Sequence, residues 1–148
     1  MIPFCKPPRC WKRFLRSIED NLGGGLALEQ SVKKAIEYMN GAYSCSQSVM
    51  CAFCDEAGIS HDEAKYIAAP YAGGAKVKCG AVWGALLILE KKYGKENAGK
   101  LQEQMEKDFR EKVSAVNCRE IRGARLRSCL GCVEDAARIL DGILHKAS

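Results

Sequence analysis

Residues 78 to 93 are apolar almost all round until Glu90, and this limits what the chain can fold into. A helix without a polar face has to be buried on every side. The rest of the chain must therefore supply a shell around it. The other segments have the period for that task. Leu28, Val32, Ile36 and Met39 form one stripe, closed by Gly41, and Val49, Ala52 and Phe53 form another, closed by Gly58. A short helix from about His61 to Ala69 stops near Pro70 and Gly73-Gly74. Leu101, Met105 and Phe109 stripe a long charged helix, and Val133, Ala136, Ala137, Leu140 and Leu144 stripe the last one. No stretch alternates as a strand would, and no internal repeat is present. The fold class is all-α: a single compact bundle of about five to seven helices around the buried helix at about 78–93.

Two domains of unequal character follow. At 148 residues the chain can bury one core without staples. Gly23-Gly24-Gly25 separates a tail, residues 1–25, from a helical body, residues 26–148. Lys6, Arg9, Lys12, Arg13 and Arg16 precede the first acid, Glu19, so the whole formal charge of +5 sits in the first sixteen residues. The tail also carries Phe4, Trp11, Phe14, Leu15, Cys5 and Cys10. It reads as a mobile or loosely docked terminus, with contact to an acidic partner or a membrane surface as the alternative. The chain beyond residue 16 is neutral and lacks the basic face of a nucleic-acid-binding domain.

Nine cysteines set the chemistry, at 5, 10, 45, 51, 54, 79, 118, 129 and 132. The N-terminal residues show no apolar run of a secretory signal, and Ala81 to Leu89 is far short of the roughly 18–20 residues of a membrane span. The expectation is a cytoplasmic protein, where many cysteines point to metal binding or catalysis rather than a disulfide framework.

The positions of four cysteines sharpen this. Ser44-x-x-Gln47 and Asn117-x-x-Glu120 resemble capping boxes, and Ser128 is a good N-cap, so Cys45, Cys118 and Cys129 each open a helix. Cys79 follows a glycine-rich turn. Unpaired N–H groups at a helix start favour an anion and can lower a thiol pKa. Four such starts suggest helix ends converging on one thiolate-rich spot. Cys129 and Cys132 form a C-x-x-C, shared by redox and metal sites. Cys51 and Cys54 lie three apart beside Met50 and Phe53 and read as core packing.

Gly80 and Gly84 make a small-residue strip on the central helix, which implies the close approach of another backbone or of a ligand. Gly73-Gly74 lacks the pattern of a phosphate loop. His61 and His145 read as solvated surface residues, so a Cys–His dyad has little support.

At these residues the chain resembles the putative redox-active proteins named for the cysteine pattern C_GCAxxG_C_C. The resemblance runs from about Leu28 to Leu144. It includes Ser44-Cys-Ser-Gln-Ser-Val, Tyr71-Ala-Gly-Gly, Cys79 through Tyr93-Gly94, Asn117-Cys-Arg-Glu and Val133-Glu-Asp-Ala-Ala-Arg-Ile-Leu. It implies an all-helical fold and four signature cysteines, Cys45, Cys79, Cys118 and Cys129. The chain departs from the pattern in two ways. Cys79 precedes Gly80 where the family name puts glycine first, and Cys51, Cys54 and Cys132 are additional.

Three readings follow. In the first, Cys79, assisted by the positive potential of Lys76 and Lys78, is the attacking thiolate of a disulfide-forming couple. Cys129 or Cys45 resolves it, and the partner is a redox protein or a small thiol. In the second, Cys45, Cys79, Cys118 and Cys129, with Cys132 as a fifth donor, hold zinc or an iron–sulfur cluster. In the third, the body is a helical adaptor with inert thiols. Monomer and homodimer are equally compatible with the sequence, and a cluster could bridge two chains.

Overall fold

Glycines, a proline and capping side chains cut the body into eight α-helices and one 3₁₀ turn over residues 30–147, the part described by the computed structural model. The basic tail, Cys5, Cys10, Gly23-Gly24-Gly25 and Leu28 lie outside the described residues. Helix α1 spans 30–40, and the Gly41 N–H closes it on the Glu37 and Tyr38 carbonyls. Then come α2 (Cys45–Ala52), α3 (Cys54–Ala57), α4 (His61–Ala68) and the 3₁₀ turn (Ala69–Gly74). The chain ends with α5 (Gly80–Tyr93), α6 (Lys95–Val113), α7 (Cys118–Gly123) and α8 (Cys129–Ala147).

Helix α5 is the buried centre that its composition required. Gly80, Ala81, Val82 and every residue from Gly84 to Leu89 are buried. Helices α2, α3, α6, α8 and the 3₁₀ turn all pack against it. The facing stripes are the expected ones: Val32 from α1, Val49 from α2, Met105 and Phe109 from α6, and Val133, Ala136, Ala137, Leu140 and Leu144 from α8 are buried. The helix count exceeds the expected range because of two short pieces, α3 and α7.

The stripe around Val49 and Phe53 is not one helix. The chain leaves helical geometry at Phe53 (φ −110°, ψ 15°). Five consecutive residues, Met50 to Cys54, are buried. At about 100° per residue they would circle a continuous helix and could not all face the core. The break resolves this and buries both Cys51 and Cys54.

No strand occurs among the described residues, yet one backbone bridge matters. Lys78 and Asn117 pair antiparallel. The Cys79 N–H donates to the Val116 carbonyl at 2.8 Å, and the Cys118 N–H to the Val77 carbonyl at 3.0 Å. The bridge clips the start of α5 to the start of α7. Val77 turns the chain there with φ 77°. Among the described residues no helix is long and apolar enough to cross a membrane.

Candidate functional site

Four separate devices place the sulfurs. Ser44 caps α2 in a full reciprocal box with Gln47, which makes Cys45 the first helical residue. Ser128 accepts from the Gly131 N–H at 3.0 Å, and Cys129 opens α8. Asn117 precedes Cys118 at the start of α7, but its side chain makes no capping hydrogen bond, contrary to expectation. The backbone bridge fixes that end instead. Cys79 stands one step earlier than the others, as the N-cap residue of α5, with Gly80 as the first helical residue.

The four helix ends meet. Cys45, Cys79, Cys118 and Cys129, joined by Cys132, line one small chamber of about 30 Å³. All five thiols are free. They are graded in depth: Cys129 is exposed, Cys45 and Cys118 are half-buried, and Cys79 and Cys132 are 6% and 2% exposed. Cys132 lies one turn further along α8 than Cys129, on the inward side.

The two innermost thiols line the same chamber and differ in acidity. The Cys132 thiol, as a donor toward the Cys79 sulfur, is the largest influence lowering Cys79. Burial opposes ionisation, and the N–H groups of Ala81 and Val82 at the start of α5 favour it. The result brings the Cys79 thiol down to about 7. The same influence, with burial and the neighbouring Cys79 charge, drives Cys132 strongly upward. Burial also raises Cys45, against a hydrogen bond from the Gly73 backbone. Of the inner pair, Cys79 is the thiol that ionises near neutral pH, while Cys132 stays protonated.

The charges around the site are not the expected lysines. Lys78 pairs with Glu106 at 2.7 Å and lies 4.9 Å from the Trp83 ring centre, and Lys76 lies 5.9 Å from that of Tyr71. The cations on the chamber wall are Arg122 and Arg127. The nearby Cys118 sulfur, and after it Cys129, favour the charged form of the Arg122 guanidinium. Arg127 is committed to the buried Asp135, through contacts of 2.9 and 3.3 Å.

The small-residue strip serves packing. A Cβ on Gly84 would stand 2.8 Å from the Ser46 carbonyl oxygen and 2.9 Å from the Val49 Cβ, so α2 fills that side of α5 and no ligand lies against Gly84. A Cβ on Gly80 would collide with the Cys45 sulfur, so this glycine seats a thiol and forms part of the chamber wall.

The thiol donors suit zinc or an iron–sulfur cluster in kind. Their arrangement does not: among the described residues no three Cys, His, Asp or Glu side chains are grouped to hold a metal ion. Elsewhere, Cys51 and Cys54 are core residues, and burial pushes Cys51 up to about 11. His61 is not simply solvated. Its Nε2 is 2.7 Å from the Tyr43 hydroxyl, and it packs edge-on against Tyr38 and Tyr43. His145 lies in the last turn of α8.

The chamber sets Cys132 beside Cys79 along with the Cys129 and Cys45 expected as resolving partners, and of these Cys132 acts most strongly on the acidity of Cys79. The C-x-x-C spacing carried that information, since residues three apart on a helix share a side while one can lie deeper than the other. The arginines at 119, 122, 125 and 127 form a local basic cluster in the sequence, which is the signal for the cations of this site.

Residues 43–143 match the family model described as "Putative redox-active protein (C_GCAxxG_C_C)". No curated protein and no solved structure matches the chain.

Proposed function

The chain belongs to the C_GCAxxG_C_C family of putative redox-active proteins, and on that premise we propose that it carries out thiol–disulfide exchange with Cys79 and Cys132 as its internal couple. The supporting observation is that these two buried thiols line one chamber, where the influence of each on the other makes Cys79 acidic and leaves Cys132 protonated. A thiolate is the nucleophile in exchange, and a pKa near ambient pH suits it best. Cys129 and Cys118, nearer the surface, are the sulfurs a partner meets first.

The steps balance as follows. An outer thiolate attacks a disulfide of the partner, which is a redox protein or a small disulfide. A mixed disulfide forms, and the first partner thiolate leaves and takes up a proton. The Cys79 thiolate attacks the outer sulfur and releases the second partner thiolate. Cys132 then loses its proton and attacks the Cys79 sulfur, which frees the outer thiol and closes a Cys79–Cys132 disulfide. Two electrons and two protons have passed to the partner, and the reverse sequence reduces the protein again. In this reading the compartment is the cytoplasm, where thiols are kept reduced.

The test uses the reduced full chain and a neutral oxidant, bis(2-hydroxyethyl) disulfide, followed by peptide mapping. The expected product is a Cys79–Cys132 disulfide with loss of two thiols, absent in Cys79→Ser. The same two-thiol loss persisting in Cys79→Ser would remove the couple. So would stoichiometric zinc or iron in anaerobically purified protein.

A further inference from the structure

We propose that a basin in front of Cys118 binds small disulfides and thiols that carry carboxylates, and that Cys118 is the sulfur with which they exchange. This rests on the exchange reading above and names the substrate class for it. The basin has a volume of about 670 Å³, within the ~300–1,000 Å³ of small-molecule sites. Gly73, Gly74, Cys118, Arg119 and Arg122 are among its walls. Gly73, Cys118 and Arg122 also line the inner chamber, so the basin is its vestibule. The chamber, at about 30 Å³, holds no more than a water-sized group. The body of a substrate must therefore stay in the basin.

The charge of the basin selects the substrate. Beyond residue 16 the chain balances 18 basic against 18 acidic residues. Against that neutral background, the basin wall holds Arg119 and Arg122 with a single acid, Glu120, and Arg125 follows in the same segment. Among the described residues neither Arg119 nor Arg122 is in an ion pair with a carboxylate. Both are exposed, and guanidinium forks suit carboxylates bidentately. Arg122 and Cys118 line both the basin and the chamber, so a carboxylate held at Arg122 brings its own molecule up to the thiol. From the other side Gly74 closes in. A Cβ on it would be 2.8 Å from the Cys118 Cβ and 3.1 Å from its sulfur, which leaves the basin as the open approach.

The step is simple exchange. The Cys118 thiolate attacks one sulfur of the bound disulfide, the ligand's S–S bond breaks, a Cys118–ligand disulfide forms, and the departing thiolate takes up a proton.

The experiment compares three disulfides on the reduced full chain: glutathione disulfide (anionic), bis(2-hydroxyethyl) disulfide (neutral) and cystamine (cationic). The rate of mixed-disulfide formation at Cys118 is read by peptide mass mapping. At low salt the anionic probe should react about tenfold faster than the neutral one, as steering by a charged cleft allows, and cystamine should be slowest. The advantage should vanish in Arg119→Gln/Arg122→Gln and, in the unmodified chain, at about 1 M salt, where screening is nearly complete. Equal rates for the three probes, or glutathione mapped to Cys129 instead, would overturn the assignment. If the Cys79–Cys132 disulfide never forms but Cys118 keeps its charge preference, the exchange couple fails and this site stands. The opposite pattern sinks this site alone.

Discussion

At the scale of single residues, the informative pair is Cys79 and Cys132. Cys132 as a donor, together with the Ala81 and Val82 N–H groups, outweighs the burial of Cys79. The sign is that of an acid made stronger: the thiolate is favoured, so alkylation should rise with pH and level off just above 7. An ordinary thiol would keep gaining up to its own, higher pKa. In Cys132→Ala the donor is gone and burial remains, so the inflection at Cys79 should move upward. Rates of iodoacetamide labelling across pH 5.5–10, read at Cys79 by mass spectrometry, check this. An unmoved inflection would mean that the helix N–H groups alone set the acidity.

The order Cys79-Gly80 fits the same picture. The family pattern puts glycine first and cysteine second, whereas here a side chain at 80 would run into the Cys45 sulfur. The reversal puts the sulfur at 79, where it finds Cys132. Cys45 and Cys129 were legible as helix openers because capping is local: Ser44 with Gln47 and Ser128 with Gly131 act within one turn. Cys132 was harder to read, because its importance comes from depth rather than from position at a cap.

At the scale of elements, the tight seam between α2 and α5 holds the site together. It depends on Gly84. Gly84→Ala would force a methyl against the Ser46 carbonyl and Val49 and should cost about 1–3 kcal/mol, the usual range for overpacking. Gly99 in α6 is the internal comparison, since a Cβ there meets nothing within 4 Å. Gly99→Ala should stabilise by about 0.5–1 kcal/mol, the helix-propensity gain. Urea unfolding of the two variants should move in opposite directions. A neutral Gly84→Ala would show that the seam can relax. The glycine strip was visible in the sequence, but which neighbour it admits was not, because that depends on an approach between distant segments. The Lys78–Asn117 bridge and the break at Phe53 were invisible for the same reason. Both answer tertiary demands that no local pattern encodes.

At the scale of the whole molecule, the all-helical bundle around one apolar helix was the most legible feature. A helix with no polar side leaves few alternatives. Leu89 in that helix is fully buried. Leu89→Ala should lose about 2–5 kcal/mol through transfer and cavity terms, with thermal unfolding as the readout. It should leave the acidity of Cys79 unchanged if the variant is measured while folded, because the caps and the bridge lie at the other end of α5. A change in the Cys79 profile would tie thiol chemistry to the bulk of the core.

Val77 has a wider consequence. A β-branched residue held at φ 77° stores strain, of order 1–3 kcal/mol, and its neighbours must hold it there. The corner is solvent-facing, since Val77 is 63% exposed, so the core does not compensate it; the two hydrogen bonds to the far segment do. Inserting or deleting one residue between 75 and 78 would slip those bonds by a register step. Every helix could survive that change, while the sulfurs of Cys79 and Cys118 were carried apart.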